Sequence, residues 1–378
     1  MVRFLHTADW QIGMKAAHTG EKAREVRQKR FDAAGRIAEL AEEEDVDFVI
    51  LAGDIFEDHN VDDVAVKRTV DILNRFSPRP VYVLPGNHDP AVPGGIWDRD
   101  SWGRAGPHIT LLDEQRECPH SDDVALYACP LAQKQSSLDP TAWIPHREDD
   151  DHRIRIGIAH GALDILPDSV NFPIAADRPE ASGLDYLALG DWHSYHAVGR
   201  AVYPGTMEPT RFGERDPGKV LIVEIEEAHA EPQIETRSVN LLTWIDITPA
   251  ISTVDDVEIL DGNIRDLGPL ASVLLRISPD LSGCTDGRAL QRLDTLREEI
   301  AEKAFFLEWT DPVHQPIIID DAAGRIPDGI LYEVDEALAA ILDGRIPEGA
   351  GHRFAGQEVE VVQAARLLLH RLAGGRSA

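Results

Sequence analysis

The chain has 378 residues, long for one domain, and its 43% hydrophobic content can bury a sizeable core, so a disordered or fibrous chain is excluded and a large domain plus a smaller one is expected. No apolar run approaches a membrane helix, the start Met1-Val2-Arg3-Phe4-Leu5 has no secretory pattern, and Cys118, Cys129 and Cys284 read as reduced thiols of a cytoplasmic protein. The net charge of -30 excludes a protein that grips nucleic acid by counterion release alone; bound cations or a partner would have to supply the positive charge, and the Asp-rich, Arg-over-Lys balance would suit a high-salt cytoplasm.

In chain order, Arg3–Ala8 is apolar and strand-like. Glu21–Glu44 carries Val26, Ala33, Ile37, Leu40 and Ala41 at helical spacing. Phe48–Ala52 is a continuous apolar run that stops at Gly53-Asp54, the pattern of a buried strand opening into a loop. Val61–Phe76 is again helical, and Val81–Leu84 is a strand ending at Pro85-Gly86. This β-α-β-α-β start predicts a layered α/β domain. Helices then thin out: Ile109–Leu112, Val124–Cys129, Ile154–Ala159, Tyr186–Leu189 and Val220–Glu226 read as strands, and Arg147–His152 as a charged loop. A sheet-on-sheet core with flanking helices fits this better than a Rossmann fold. The pattern resets near Leu241–Ile247. A strand at Ser272–Ile277, a helix at Arg288–Ala304 and a strand at Phe305–Trp309 form a small β-α-β-type unit, followed by amphipathic stretches at Leu331–Leu342 and Val359–Leu372. The expected domains are therefore 1–240, 245–310 and 311–378.

Polar residues gather where the strands stop: Asp9 and Gln11 after the first, Asp54 after the second, Asn87 and His88 after the third, then His160-Gly161 and Gly190-Asp191-Trp192-His193. Carboxyl ends of strands are where α/β enzymes place their sites. Each residue alone has an ordinary reading, since Asp after a strand is commonly a turn residue or helix cap and a lone His a satisfied half-buried one. The ordered set Asp-x-Gln, Gly-Asp, Gly-Asn-His-Asp, His-Gly and Gly-Asp-x-His, each after an apolar run, points instead to one metal-binding rim.

That set resembles the calcineurin-like metallophosphoesterase superfamily, and within it the SbcD-type DNA repair exonuclease branch. The likeness is carried by Leu5-His6-Thr7-Ala8-Asp9-Trp10, Ala52-Gly53-Asp54-Ile55-Phe56, Leu84-Pro85-Gly86-Asn87-His88-Asp89, Tyr186-Leu187-Ala188-Leu189-Gly190 and Tyr203-Pro204-Gly205-Thr206. It implies a two-sheet sandwich flanked by helices, a small α+β capping domain and C-terminal helices. It implies that Asp9, Gln11, Asp54 and His193 hold one metal, and Asp54, Asn87, His160 and Asp191 the other, with Asp54 bridging. His88 would serve the phosphate as a proton donor rather than a cation. Two cations about 4 Å apart hold a hydroxide and neutralise phosphate oxygens, and a His at the edge can protonate the leaving group.

The chain departs from the family pattern at Gln11 and Asp191, where His is usual. Each metal loses an imidazole for an oxygen ligand, which favours Mn²⁺, or Mg²⁺, over Zn²⁺. Arg211 is a candidate phosphate contact, and Arg215 another, with surface pairing to Glu214 as the plain alternative. His18, His59 and His196 are candidates for the substrate groove, while His146 and His152 read as solvated. Trp10 and Trp192 read as packing residues. The implied partners are DNA and an SMC-like coiled-coil ATPase docked by the tail, with no membrane and a homodimer left open. The expected activity is thus a metal-dependent DNA exonuclease or endonuclease in repair. The alternatives are a phosphodiesterase of small molecules or nucleotides and a catalytically silent metal-binding scaffold.

Overall fold

In chain order the strands are β1 (Val2–Thr7), β2 (Phe48–Ala52), β3 (Val81–Leu84), β4 (Ile109–Leu111), β5 (Arg116–Ser121), β6 (Val124–Cys129), β7 (Ile154–His160), β8 (Tyr186–Gly190), β9 (His196–Val198), β10 (Ala201–Tyr203), β11 (Lys219–Ile225), β12 (Gln233–Ser238), β13 (Thr243–Ile247), β14 (Val273–Ile277) and β15 (Phe306–Trp309). The helices are α1 (Ala23–Glu43), α2 (Asp63–Leu73), α3 (Arg178–Ser182), α4 (Val254–Arg265), α5 (Gly287–Lys303) and α6 (Ile330–Leu342). The computed structural model describes residues 1–166, 170–284, 287–312 and 330–345, with 361, 362, 365, 366 and 369. The chain divides into two compact units, Met1–Trp244 and Ile245–Ala378. Among the described residues no helix is long and apolar enough to cross a membrane.

The first unit contains two six-stranded sheets, ordered β12-β11-β1-β2-β3-β4 and β5-β6-β7-β8-β10-β9. β1 through β4 pair in parallel, as do β6, β7, β8 and β10, so strand ends gather along one edge of each sheet. Strand alternation sorts each run between two cores. On β1 and β2, Phe4, Phe48 and Ile50 point into the space between the sheets, where they meet Leu126, Ile156, Ile158 and Tyr186. Leu5, Val49 and Leu51 point the other way, against Ala33, Ile37, Val66 and Val70 of α1 and α2. The outer face of the second sheet is covered by loop residues, among them Ile144, Leu163 and Ile174. Burial on both faces explains why the central strands read as unbroken apolar runs.

This is the two-sheet α/β sandwich with flanking helices expected from the sequence. Several strands were not anticipated there. β5 and β12 are sheet-edge strands with mostly exposed residues, so they present no apolar run, and β9 and β10 are three residues each.

The second unit holds a sheet ordered β13-β14-β15 over a core that includes Val257, Leu260, Leu275, Leu293, Leu296 and Ile300. Its α4 is a further correction. Thr253 and Asp256 form a reciprocal cap at its start, and Val257, Leu260 and Ile264 bury one stripe, a signal masked in the sequence by the acidic residues between them. α6 lies where a helix was expected, and its Asp335 accepts a hydrogen bond from Arg366 Nε at 2.7 Å. The expected helix at 359–372 falls largely outside the described residues.

Candidate metal centre

Loops at the ends of β1, β2, β3, β7 and β8 carry the polar residues singled out above. The first two loops run side by side. Asp9 N–H donates to Gly53 O (3.0 Å), Gln11 N–H to Asp54 O (2.9 Å) and Ile12 N–H to Ile55 O (2.9 Å). Backbone conformation marks the same places. Of nine described non-glycine residues with positive φ, four are Asp9 (52°), Gln11 (49°), Asp54 (53°) and Asp191 (103°). Such conformations are unfavourable for side-chain-bearing residues and persist where the surroundings over-determine them, which is commonest at functional sites.

Two glycines are required by crowding. A Cβ on Gly53 would fall 2.2 Å from His160 Nδ1, and one on Gly86 would fall 2.2 Å from Asp54 Oδ1. Asp89 braces the third loop, its carboxylate accepting Gly86 N–H (2.7 Å) and Phe56 N–H (2.9 Å).

The side chains converge on Asp54, which is 2% exposed. His160 Nε2 lies 3.3 Å from Asp54 Oδ1, 3.3 Å from Asn87 Oδ1 and 3.8 Å from Asp191 Oδ1. The His160 ring is oriented from behind by its Nδ1–H, which donates to Ala52 O at 2.9 Å. His88 N–H donates to Asp54 Oδ1 (2.9 Å) and Gln11 Nε2 to Asp54 Oδ2 (3.3 Å). Both Asp9 oxygens accept from Asp191 N–H, at 3.2 and 3.1 Å. Asp9, Asp54 and His160, all buried, offer ligand atoms within 4.8 Å of one another. Carboxylate and amide oxygens mixed with imidazole nitrogens suit a divalent cation, so the residues present fit a metal centre.

His88 and His193 stand differently. His88 Nδ1–H donates to Glu57 O at 2.8 Å, which leaves Nε2 toward the centre, 3.9 Å from Asp54 Oδ2. His193 Nδ1 bonds Glu214 Oε1 at 2.8 Å. Glu214 in turn accepts Thr210 N–H (2.9 Å) and the Thr210 hydroxyl. The sequence suggests Glu214 only as a surface partner for Arg211 or Arg215; its side chain is 3% exposed and engaged with His193. No local spacing could show this, because the two are 21 residues apart and meet only through the fold.

The electrostatics follow from burial in a crowd of like charges. Burial, together with Asp54 and Asp191, raises the Asp9 carboxyl above its usual range against the pull of His160 and His193. Burial likewise raises Asp191, opposed by His160. At Asp54 burial also opposes the charge, but His160 and His88 outweigh it and hold the carboxyl low. His160 is pushed well above the ordinary imidazole value, since Asp54, Asp9 and Asp191 outweigh its burial. His193 is raised because Glu214 and Asp9 outweigh burial. A site built this way stabilises positive charge.

Other residues fall into place. Trp10 is fully buried and its Nε1–H donates to Thr7 Oγ1 at 3.0 Å, a packing role. Trp192 packs on the outer core of the second sheet. His59 Nδ1 accepts Ile96 N–H at 3.1 Å, and His18 packs against Trp244 with ring centroids 5.2 Å apart. Arg211 is exposed and outside the cluster of mutually bonded residues. Arg30, not singled out in the sequence, is 1% exposed and donates to Trp10 O, Glu208 O and Pro209 O, each at 2.8 Å. It thus joins the loop of Asp9 and Gln11 to the loop of Thr210 and Glu214.

Strand-end loops that gather carboxylates, an amide and imidazoles between two sheets define a metallophosphoesterase. The chain belongs to the calcineurin-like phosphoesterase family, whose model matches residues 2–195. It is 24% identical to the uncharacterized metallophosphoesterase YhaO of Bacillus subtilis (strain 168), over 97% of each chain. It is 24% identical to the DNA double-strand break repair protein Mre11 of Halobacterium salinarum, over 70% of this chain and 67% of that one. It is 30% identical to a component of the SbcCD nuclease of Bacillus subtilis, over 23% of this chain and 22% of that one. Metallophosphoesterases are hydrolases that work with divalent metal ions, and the cluster around Asp54 is the candidate site for them here.

Proposed function

We propose that the protein is a two-metal phosphodiesterase that cuts DNA. The observation that carries this reading is the convergence on Asp54 of residues from loops of both sheets. The similarity to Mre11 through 70% of the chain supports the choice of DNA. In this reading Asp9, Gln11, Asp54 and His193 hold one cation and Asp54, Asn87, His160 and Asp191 the other. Oxygen-rich donors favour Mn²⁺ or Mg²⁺. When bound, such cations neutralise phosphoryl oxygens and acidify water.

The chain's own groups do the rest. Ala52 O and Glu214 each engage one imidazole through Nδ1, which leaves Nε2 as the nitrogen that would hold a cation. Gln11 must present its amide oxygen to serve as a ligand, whereas here its nitrogen donates to Asp54; a rotation of the amide plane exchanges the two. His88, with Nδ1–H tied to Glu57 O, keeps Nε2 for the phosphate and can carry a proton to the leaving oxygen. Arg211, on an exposed loop close in sequence to Glu214, would contact a substrate phosphate.

The reading extends to the rest of the chain as repair in the cytoplasm, where Cys118, Cys129 and Cys284, all free thiols, stay reduced. Residues 245–310 form the small domain that accompanies the nuclease, and the 311–378 tail recruits an SMC-like ATPase. The similarity to a component of the SbcCD nuclease supports such a partnership. The test is the purified chain with Mn²⁺ on end-labelled DNA and on a chromogenic phosphodiester, with Asp54→Ala as control. Cleavage of both, lost in Asp54→Ala, is expected. Cleavage of the chromogenic diester alone would overturn the nuclease reading in favour of a small-molecule phosphodiesterase, and cleavage of neither would leave a metal-binding scaffold.

A further inference from the structure

A chain with 67 acidic and 37 basic residues should repel DNA, yet its charge is unevenly spread. Residues 15–30 contain Lys15, Lys22, Arg24, Arg27, Lys29 and Arg30 against Glu21 and Glu25, six cations to two anions and a local net charge of +4. Lys22 pairs with Glu25. Among the described residues, Lys15, Arg24, Arg27 and Lys29 form no ion pair. Carboxylates outnumber cations almost two to one in this chain, so this segment is locally opposite in sign to the chain as a whole.

The fold puts part of this segment beside the metal centre. After Gln11 and Asp54 the two zipped loops continue together, Glu57 N–H donating to Ile12 O at 2.9 Å, and then part around a cavity of about 370 Å³. Its walls come from Gly13–Lys15 on one side, Asn60–Asp62 on the other, and Arg27, Arg30 and Phe31 from α1. The spacing of 27, 30 and 31 is one helical face. Arg27 Nη1 donates to Lys15 O at 2.8 Å and so draws the loop onto the helix. The one carboxylate in the lining, Asp62, caps α2, accepting Ala65 N–H at 2.8 Å, and is outnumbered there by Lys15, Arg27 and Arg30. Buried Arg30 has an Nε–H without a hydrogen-bond partner, while its other nitrogens hold the carbonyls of Trp10, Glu208 and Pro209. Arg30 therefore ties the cavity wall to the backbone between Asp9 and Gln11.

We infer that this cavity is an anion subsite that takes a backbone phosphate of a nucleic-acid strand, away from the phosphate being cut. The inference rests on the nuclease reading and adds a specificity element to it. A small diester reaches no further than the metal centre, whereas a polyanion extends past it and needs cationic contacts that the surface at large does not provide. Each phosphate neutralised by Lys or Arg contributes about 0.9 to the slope of log affinity against log salt on duplex DNA.

The experiment uses the full-length chain with Mn²⁺ and compares the parent with the double variant Lys15→Ala, Arg27→Ala. Both residues are exposed, so the fold should tolerate the change. Steady-state kinetics are read on bis(p-nitrophenyl) phosphate and on a labelled duplex oligonucleotide, the latter from about 50 to about 200 mM salt, the range over which such contacts weaken most visibly. The variant should cut the small diester at the parent rate. On the oligonucleotide KM should rise about tenfold or more and the salt slope should lose about 0.9, the share of the one phosphate held in the cavity. A parent that cuts DNA, with a variant unchanged in both KM and slope, overturns the subsite and spares the nuclease reading. Equal loss on both substrates also overturns it, because the residues would then be serving the metal centre. A parent that cuts only the small diester overturns the nuclease reading and the subsite together.

Discussion

Replacing Glu214 by Gln should loosen one metal without touching a metal ligand. Glu214 is held at 2.8 Å from His193 Nδ1, and its carboxylate also accepts the N–H and hydroxyl of Thr210. With the side chain 3% exposed, water cannot take over these bonds. The carboxylate fixes the Nδ1–H tautomer of His193 and raises the basicity of Nε2. A carboxamide keeps the shape but offers one acceptor oxygen in place of two, and its NH₂ must face a donor. Loss of such a supporting partner lowers metal affinity by about 10- to 100-fold, or about 1.4–2.7 kcal/mol. The stranded buried donor adds about 1–3 kcal/mol of lost stability. Calorimetric titration with Mn²⁺ should therefore show two sites in the parent, one of them weakened by that factor in Glu214→Gln and missing in His193→Ala. Two unchanged sites in Glu214→Gln, alongside a lost site in His193→Ala, would refute the positioning role. Two intact sites in His193→Ala would refute the assignment of His193 itself.

Three further outcomes are expected. His88→Ala should retain both metals by elemental analysis and lose most of its turnover, since His88 acts on the phosphate; disappearance of a metal would show the role to be wrong. The double variant Gln11→His, Asp191→His should bind Zn²⁺ more tightly relative to Mn²⁺ than the parent does, because imidazole replaces oxygen in both sites; an unchanged preference in calorimetry would mean that neither residue touches a cation. His6 is fully buried against the Tyr186 hydroxyl at 2.9 Å, and burial lowers its pKa to about 3. Its folded pKa lies below the unfolded value, so its contribution is complete above the unfolded pKa of about 6.5 and is lost as pH falls toward 3. Between about pH 7.5 and about pH 5.5 the parent should lose about 1.4 kcal/mol relative to His6→Gln in urea titrations, and a difference that does not change with pH would contradict a neutral His6.

Much of this protein was legible before its fold was known, because the signals were local. Unbroken apolar runs such as Phe48–Ala52 mark strands buried on both faces, and the residues that stop them, Asp9, Asp54, Asn87, His160 and Asp191, are the ones the loops bring together. Strand order in a layered sheet turns sequence order into a common rim, so a list of strand-end residues is already a rough site. Edge strands such as β5 and β12 escaped because half-exposed residues carry no run, and α4 escaped because acidic residues interrupt its apolar stripe.

What the tertiary structure alone decided are contacts between residues far apart in the chain. Glu214 passed for a surface acid until the loop after β10 carried it behind His193. Nothing in the spacing of α1 distinguishes Arg30 from its neighbouring cations, whereas the fold closes its guanidinium on three carbonyls from two loops. The positive φ angles at Asp9, Gln11, Asp54 and Asp191 are likewise invisible in sequence, since residue type permits such a conformation but only packing and the zipped loops impose it. Residue identity and period act over a few positions and are written in the chain; the pairing of a carboxylate with one imidazole among several depends on where three-dimensional packing sets each loop.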